Sequence, residues 1–424
     1  MRFKTLAEWL SWQESLHPRT IDLGLGRVQR TFAALDGPPP PYTLTVGGTN
    51  GKGSSVALLT AVLRAAGYRV GAYTSPHILR YNERIQIDGE PVADGVIRDA
   101  FARIDAARGD TTLSYFEFGT LAAVDIFRHA SLDVQVLEVG LGGRLDAVNI
   151  LDADAALVAS IDVDHQEWLG DTREAIAPEK AGIFRPGRPA VVSDPEPPAT
   201  LFDDARARGI VLRIQGRDFG YAVKEGTWDW HGEGIQYRDL PHPALPGRQQ
   251  FLNASGVLEL LRCVAERLPV AETAIRTGLR DLRLPGRFQF FPGPPPLLLD
   301  VAHNPQAARV LAEYVRERFP GRRVAAVFAI MRDKDIESVV DALAPLVSRW
   351  YLAPLRMPRA APPESLQALL ARRCGDALVR SGFADAREAF AAAGREGAAE
   401  EPVVVFGSFF LVSEYLAQAA SISR

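Results

Sequence analysis

Between Tyr42 and Ala66 the chain places a lysine and a serine hydroxyl inside a run of glycines, Gly47-Gly48-Thr49-Asn50-Gly51-Lys52-Gly53-Ser54. Glycines let backbone N–H groups close around phosphate oxygens. A lysine neutralises their charge, a hydroxyl can ligate magnesium, and a helix N-terminus adds positive potential. The segment reads as a phosphate cradle made of Gly48, Thr49, Asn50, Gly51, Lys52, Gly53 and Ser54. It departs from the ordinary P-loop, because Val46 takes the first-glycine position and Gly53 separates lysine from serine. The plain alternative is a glycine turn with no ligand. Lysine usage weighs against it: of 48 Lys plus Arg, lysine occurs only at positions 4, 52, 180, 224 and 334. An ammonium can shift its pKa and react where a guanidinium cannot, so a lysine kept in an arginine-rich chain invites a chemical reading.

Three further clusters could join it. Glu138 emerges from Leu137-Glu138-Val139 just before Gly140-Leu141-Gly142-Gly143; it could ligate the magnesium that bridges nucleotide phosphates, or equally make a structural ion pair. Ser160-Ile161-Asp162-Val163-Asp164-His165 brings an imidazole and two carboxylates to the end of another apolar run. Asp300-Val301-Ala302-His303-Asn304-Pro305 follows a third, where Asp300 or Asn304 could cap a helix, contact a ligand, or do both. Glu179-Lys180-Ala181-Gly182-Ile183 carries another of the scarce lysines, otherwise readable as solvated surface.

The elements that would hold these residues alternate. A strand over Tyr42–Val46, a helix over Ser54–Ala66 stopped by Gly67, and a strand over Arg69–Thr74 follow one another as in a parallel α/β unit. A helix over Phe116–Phe127 and strands over Val134–Val139 and Ala155–Ile161 continue the pattern, so the clusters above fall at strand C-termini, where such sheets bind ligands. A short helix over Thr172–Ala177 would end before Lys180. The polar stretch Gly216–Arg238 reads as short strands or an excursion from the sheet. Alternation restarts near Leu284-Pro285-Gly286-Arg287, with strands at Leu297–Asp300, Val324–Ala329, Trp350–Ala353 and Val403–Phe406 and a helix in the alanine-rich Ala384–Ala393. The spacing predicts an α/β protein with a domain carrying the nucleotide-type loop over residues 1–286 and a second, smaller α/β domain over 287–424.

Bulk properties agree. At 424 residues the chain exceeds the roughly 250–300 residues a single core usually supports. A net charge of -4 without a basic run disfavours nucleic acid as a partner. Cys263 and Cys374 have no metal or redox spacing. The opening Met1–Leu16, with Glu8 and Glu14 among its apolar residues, has no continuous apolar run, so the expectation is a cytoplasmic protein without membrane attachment. Monomer is the default.

Taken in order, these strings resemble the folylpolyglutamate synthase/dihydrofolate synthase family, a branch related to the Mur peptide ligases. The resemblance spans nearly the whole chain and includes Thr20-Ile21-Asp22-Leu23-Gly24-Leu25, Gly48 to Ser54, Thr74-Ser75-Pro76-His77, Tyr115 to Thr120, Glu138 to Asn149, Asp164-His165, Glu179 to Phe184, Leu284 to Gln289, Asp300 to Pro305 and Asp333-Lys334-Asp335. It implies an N-terminal P-loop ATPase domain of the Mur ligase central type and a C-terminal Rossmann-like domain. It also implies ATP and two magnesium ions, with Lys52 on the phosphates and Ser54, Ser75, Glu138 and His165 at the metals. Lys180 matches a lysine that is carbamylated to become a metal ligand. Asn253, Arg287, Asp300 and His303 would reach the nucleotide, and Ser114, Phe116, Asp146 and Ala147 would line the pterin site.

The activity so implied is an ATP-dependent carbon–nitrogen ligase. A carboxylate of 7,8-dihydropteroate or of a reduced folate would become an acyl phosphate, which the amine of L-glutamate would then convert to an amide. His77, Asp300 and His303 are candidates for the base that frees the amine. Three readings compete: polyglutamylation only, a Mur-type ligase acting on a wall precursor, and a P-loop nucleotide switch that makes no bond. The last would be expected to carry an NKxD guanine-reading string, which is absent.

Overall fold

Five consecutive buried positions in the strand Tyr42–Gly47 mark a strand covered on both faces. It is the centre of a parallel sheet in the computed structural model, which describes residues 2–397 and 400–422. The chain forms two units, one of Met1–Ala244 with Gln249–Arg283, the other of Leu245–Arg248 with Leu284–Arg424.

The first unit holds an eight-stranded sheet. Its strands in chain order are β1 (Tyr42–Gly47), β2 (Val70–Tyr73), β3 (Ile85–Ile87), β4 (Glu90–Pro91), β5 (Val134–Glu138), β6 (Ala155–Val158), β7 (Ala190–Val192) and β8 (Leu212–Ile214). They lie side by side in the order β4-β3-β2-β5-β1-β6-β7-β8. Only β3 and β4 run antiparallel to their neighbours. The order places the C-termini of β5, β1 and β6 together, and the register pairs Val46 of β1 with Glu138 of β5. The glycine loop and the glutamate therefore leave the sheet side by side. Gly220–Val223, Thr227–Gly232 and Ile235–Pro241 form a separate antiparallel sheet, as the polar stretch suggested. Its Trp230 is fully buried and donates Nε1–H to Ser255 O at 3.1 Å on the helix Gln249–Cys263.

Three local expectations change. The strand expected over Ala155–Ile161 stops at Val158, because residues beyond it bond to the glycine loop instead of continuing the ladder. The helix after the glycine loop begins at Lys52, two residues early, so the lysine is its first residue. The helix expected to end at Ala177 runs over Arg173–Ala181, carrying Lys180 in its last turn. Pro178 lies inside it and lacks the N–H that would bond to Glu174 O. That carbonyl accepts from Thr200 Oγ1 at 2.7 Å instead, so the interior proline leaves no orphan acceptor.

The second unit is a six-stranded sheet ordered Gln289–Phe291, Leu297–Leu299, Val403–Phe406, Val324–Phe328, Val347–Leu352, Val379–Arg380. All but the first are parallel. The alanine-rich segment is the helix Ala386–Glu396. Asp300 to Asn304 leave the C-terminus of Leu297–Leu299, and Asn304 caps the helix Pro305–Arg318 by accepting from Ala307 N at 2.9 Å.

Candidate active site

The glycine loop is held by the segment after β6. Thr49 N donates to Ser160 O at 2.7 Å, Thr49 Oγ1 to Asp162 O at 2.8 Å, and Asn50 N to Ser160 Oγ at 3.0 Å. Two glycines are required by space as well as conformation. Gly48 (φ +139) would put a Cβ 3.0 Å from Ser160 N, and Gly51 (φ +86) would put one 2.3 Å from Asn253 Oδ1. Asn253 thus stands against the loop from the helix Gln249–Cys263, and its buried Oδ1 has no hydrogen-bond partner. Lys52 Nζ donates to Gly48 O at 2.9 Å and Thr49 O at 3.0 Å. An ammonium folded over the loop mouth, a helix N-terminus beneath it and a cradle with no room for Cβ atoms fit a nucleotide's phosphates.

Around this loop lie the candidate metal ligands. Glu138 is buried and its Oε2 accepts from Ser75 N at 3.1 Å, fixing Ser75 beside it. Ser54 is buried in the first turn of the helix Lys52–Ala65. His165 adopts a left-handed backbone (φ +53), rare for a residue with a side chain, and precedes the short helix Gln166–Leu169. Lys180 is buried, and burial followed by the charge of Lys52 pushes its pKa down to about 7, with Asp164 pulling the other way. The loop after β5 packs on it: a Cβ at Gly143 would lie 3.0 Å from Lys180 O. Two hydroxyls, a carboxylate, an imidazole and a lysine that can become a carbamate are, by their chemistry, mainly oxygen donors of the kind Mg²⁺ takes. Among the described residues no three His, Cys, Asp or Glu side chains gather as a metal site. Magnesium bound with a nucleotide takes its remaining ligands from phosphate and water.

On the same sheet edge opens a cavity of about 280 Å³, lined by Ser75, Ser114, Phe116, Asp146, Ala147 and His165 among the expected residues. Ser114 is also a helix cap, accepting from Glu117 N at 3.3 Å while Glu117 Oε2 accepts from Ser114 N at 2.7 Å. Asp146 is buried, accepts from Leu141 N at 2.8 Å and Val148 N at 3.0 Å, and is pushed up to about 7 by burial against those bonds. A carboxyl near half-protonation can donate or accept, which suits a heterocycle offering both kinds of group.

The sequence reading assigned no role to several lining residues. Asp22 enters from the Thr20–Leu23 loop, where Arg27 Nη1 (2.9 Å) and His17 Nε2 (3.0 Å) hold it, and Arg27 Nη2 reaches on to Glu117 Oε1 at 2.8 Å. Arg84 and Tyr115 complete the wall. Arg84 Nε donates to His77 Nδ1 at 2.9 Å, so His77 keeps its proton on Nε2; burial, then the Arg84 charge, pushes this imidazole down to about 4.

Arg287, Asp300 and His303 gather in the second unit. Asp300 is buried and accepts from Phe288 N at 2.9 Å and Ala302 N at 2.8 Å; burial raises its pKa and Arg287 opposes that. Arg287 lies over the Phe409 ring at 5.3 Å, and the His303 ring is 5.9 Å from the same phenyl. His303 Nδ1 lies 2.8 Å from Val301 O, an acceptor, so Nδ1 carries the proton and the lone pair sits on Nε2.

Residues 286–409 match the Mur ligase, glutamate ligase domain family. Over 412 residues the chain is 44% identical to the dihydrofolate synthase/folylpolyglutamate synthase of Escherichia coli (strain K12), covering 97% of this chain and 94% of that one. The chain belongs to the dihydrofolate synthase/folylpolyglutamate synthase family. Its fold agrees: E. coli FolC in complex with DHPP and ADP superposes with a TM-score of 0.93 at 43% identity, covering 99% of both chains. The bifunctional synthase of Yersinia pestis, complexed with AMPPNP and Mn ion, gives 0.89 at 42% identity over 98% of both. The Mur-related α/β architecture and the ligase class expected from the sequence are those found. Membership in this synthase family sets aside the nucleotide-switch and wall-precursor readings.

Proposed function

We propose that this synthase-family member joins L-glutamate to 7,8-dihydropteroate and to reduced folylglutamates at the expense of ATP. The observation that carries this is the shared sheet edge: the phosphate loop and the cavity meet at Glu138 and Ser75, so an acceptor carboxylate and a nucleotide can be held next to each other. The acceptor carboxylate oxygen attacks the γ-phosphorus of ATP, the bond to the bridging oxygen breaks, and ADP leaves. The glutamate nitrogen then attacks the acyl carbon, phosphate departs, and the nitrogen gives up its proton.

Residues of the chain divide the work. Lys52 exchanges the Gly48 and Thr49 carbonyls for phosphate oxygens. Ser54, Ser75, Glu138, His165 and carbamylated Lys180 would hold two magnesium ions, which supply charge neutralisation at the phosphates. With a pKa near 7, part of Lys180 is a neutral amine able to add carbon dioxide. Asn253, beside Gly51, would contact the nucleotide with Arg287, Asp300 and His303. Of the three base candidates, His77 presents a proton at Nε2 and Asp300 spends both oxygens on backbone amides, whereas His303 Nε2 carries a lone pair. His303 is the proton acceptor for the glutamate amine.

The enzyme would act in the cytoplasm as a monomer on small molecules, without nucleic acid or membrane. No helix among the described residues is long and apolar enough to cross a membrane. Acceptor labelled with ¹⁸O in its carboxylate tests the chemistry: one label must appear in released phosphate. Amide formation that leaves the released phosphate unlabelled, the lost oxygen going to water, excludes an acyl phosphate.

A further inference from the structure

Arg84 is a cation in a mainly apolar cavity, and its hydrogen-bond partners, His77 and the Tyr73 hydroxyl, are both neutral. Its guanidinium carbon lies 5.5 Å from the Tyr81 ring centroid and 5.7 Å from that of Tyr115, and its Nε is spent on the neutral His77. The acid nearest in sequence, Glu83, is turned away: its carboxylate accepts from Ile78 N (2.7 Å), Leu79 N (2.9 Å) and Arg80 N (2.7 Å). The other acids of the wall are committed as well. Asp22 and Glu117 pair with Arg27, and Asp146 caps backbone amides. Among the described residues no carboxylate forms an ion pair with Arg84. A guanidinium set against two rings and held at Nε keeps a planar fork, which suits a carboxylate held by two parallel hydrogen bonds.

The two acceptors differ in the anion such a fork would meet. Dihydropteroate has one carboxylate, and it reacts. A folylglutamate has two, of which one reacts and the other must be placed somewhere. We propose that Arg84 receives the non-reacting carboxylate of the folylglutamate acceptor, so that it serves polyglutamylation far more than dihydrofolate synthesis. Ser75 and His165 line the same cavity, which puts this anion site in the chamber where the reacting carboxylate belongs. The inference rests on the proposed function.

The test measures kcat/KM of the wild type and of Arg84→Gln with dihydropteroate and with tetrahydrofolate. Wild-type turnover of both acceptors checks the functional reading separately. Arg84→Gln is expected to lose roughly 100-fold with tetrahydrofolate, as when one partner of a desolvated charge pair is removed, and no more than about fivefold with dihydropteroate. Arg84→Lys keeps the charge but not the fork, and should recover part of the tetrahydrofolate loss. A measurement on the wild type covers the case of a variant that does not fold: tetrahydrofolate whose non-reacting carboxylate is an amide should lose a similar factor. Equal losses with both acceptors, no loss with either, or an amide used as well as its parent would each overturn the proposal.

Discussion

Replacing Lys180 by methionine should stabilise the protein at neutral pH while removing its activity. The side chain is buried, and its pKa falls from 10.5 to about 7, chiefly through burial and then through Lys52. Each tenfold displacement of that equilibrium is worth about 1.36 kcal/mol, so the folded state disfavours the ammonium by roughly 4 to 5 kcal/mol. The folded pKa lies below the unfolded one, so the unfolded chain binds the proton more tightly. The resulting deficit is full below pH 7, shrinks as pH rises, and is gone above 10.5. Between pH 7 and pH 9 the wild type should therefore gain about 2 kcal/mol from this group. Lys180→Met, of similar length and without charge, should lack that rise and exceed the wild type at pH 7 by at least about 1 kcal/mol. Urea unfolding in carbon dioxide-depleted buffer without nucleotide measures both. A variant less stable than the wild type at pH 7, or a wild type showing no gain by pH 9, would refute the view that this lysine is buried for chemistry at a cost in stability.

Gly51→Ala forces a Cβ to within 2.3 Å of Asn253 Oδ1 at a positive φ, and should cost about 1–3 kcal/mol and raise the KM for ATP at least tenfold, read by thermal melting and steady-state kinetics. Asp300→Asn replaces one of two acceptor oxygens by an NH2 group that cannot accept, stranding the buried N–H of Phe288 or Ala302. Chemical denaturation should show a loss of about 1–3 kcal/mol, together with a fall in ligase turnover. His303→Gln should lower turnover by about 100-fold or more, whereas His77→Gln should lower it far less, read by steady-state kinetics.

What could be read from the residues was chemistry packed into contiguous sequence. The phosphate loop needs its glycines, lysine and serine in one short run, and Glu138, His165 and Asp300 each stand at the end of an apolar strand or just beyond it, so strand-end logic marks them as candidates. Long-range contacts were not legible. β6 ends at Val158 because residues 160–162 bond to Thr49 and Asn50, more than a hundred positions earlier. In the helix through Lys180 the carbonyl that Pro178 leaves unpaired takes its donor from Thr200 on another helix. Arg84 and Arg27 looked like two more arginines in an arginine-rich chain. Their distinction is the partner each has or lacks, and that is tertiary.

The most direct test of the account is product formation by the purified chain with ATP, magnesium and L-glutamate, offering 7,8-dihydropteroate or tetrahydrofolate and following phosphate release and product mass. The account predicts that each acceptor gains the mass of one glutamyl residue, with one phosphate released per amide. Phosphate release without a mass gain, or no turnover with either acceptor, would contradict it.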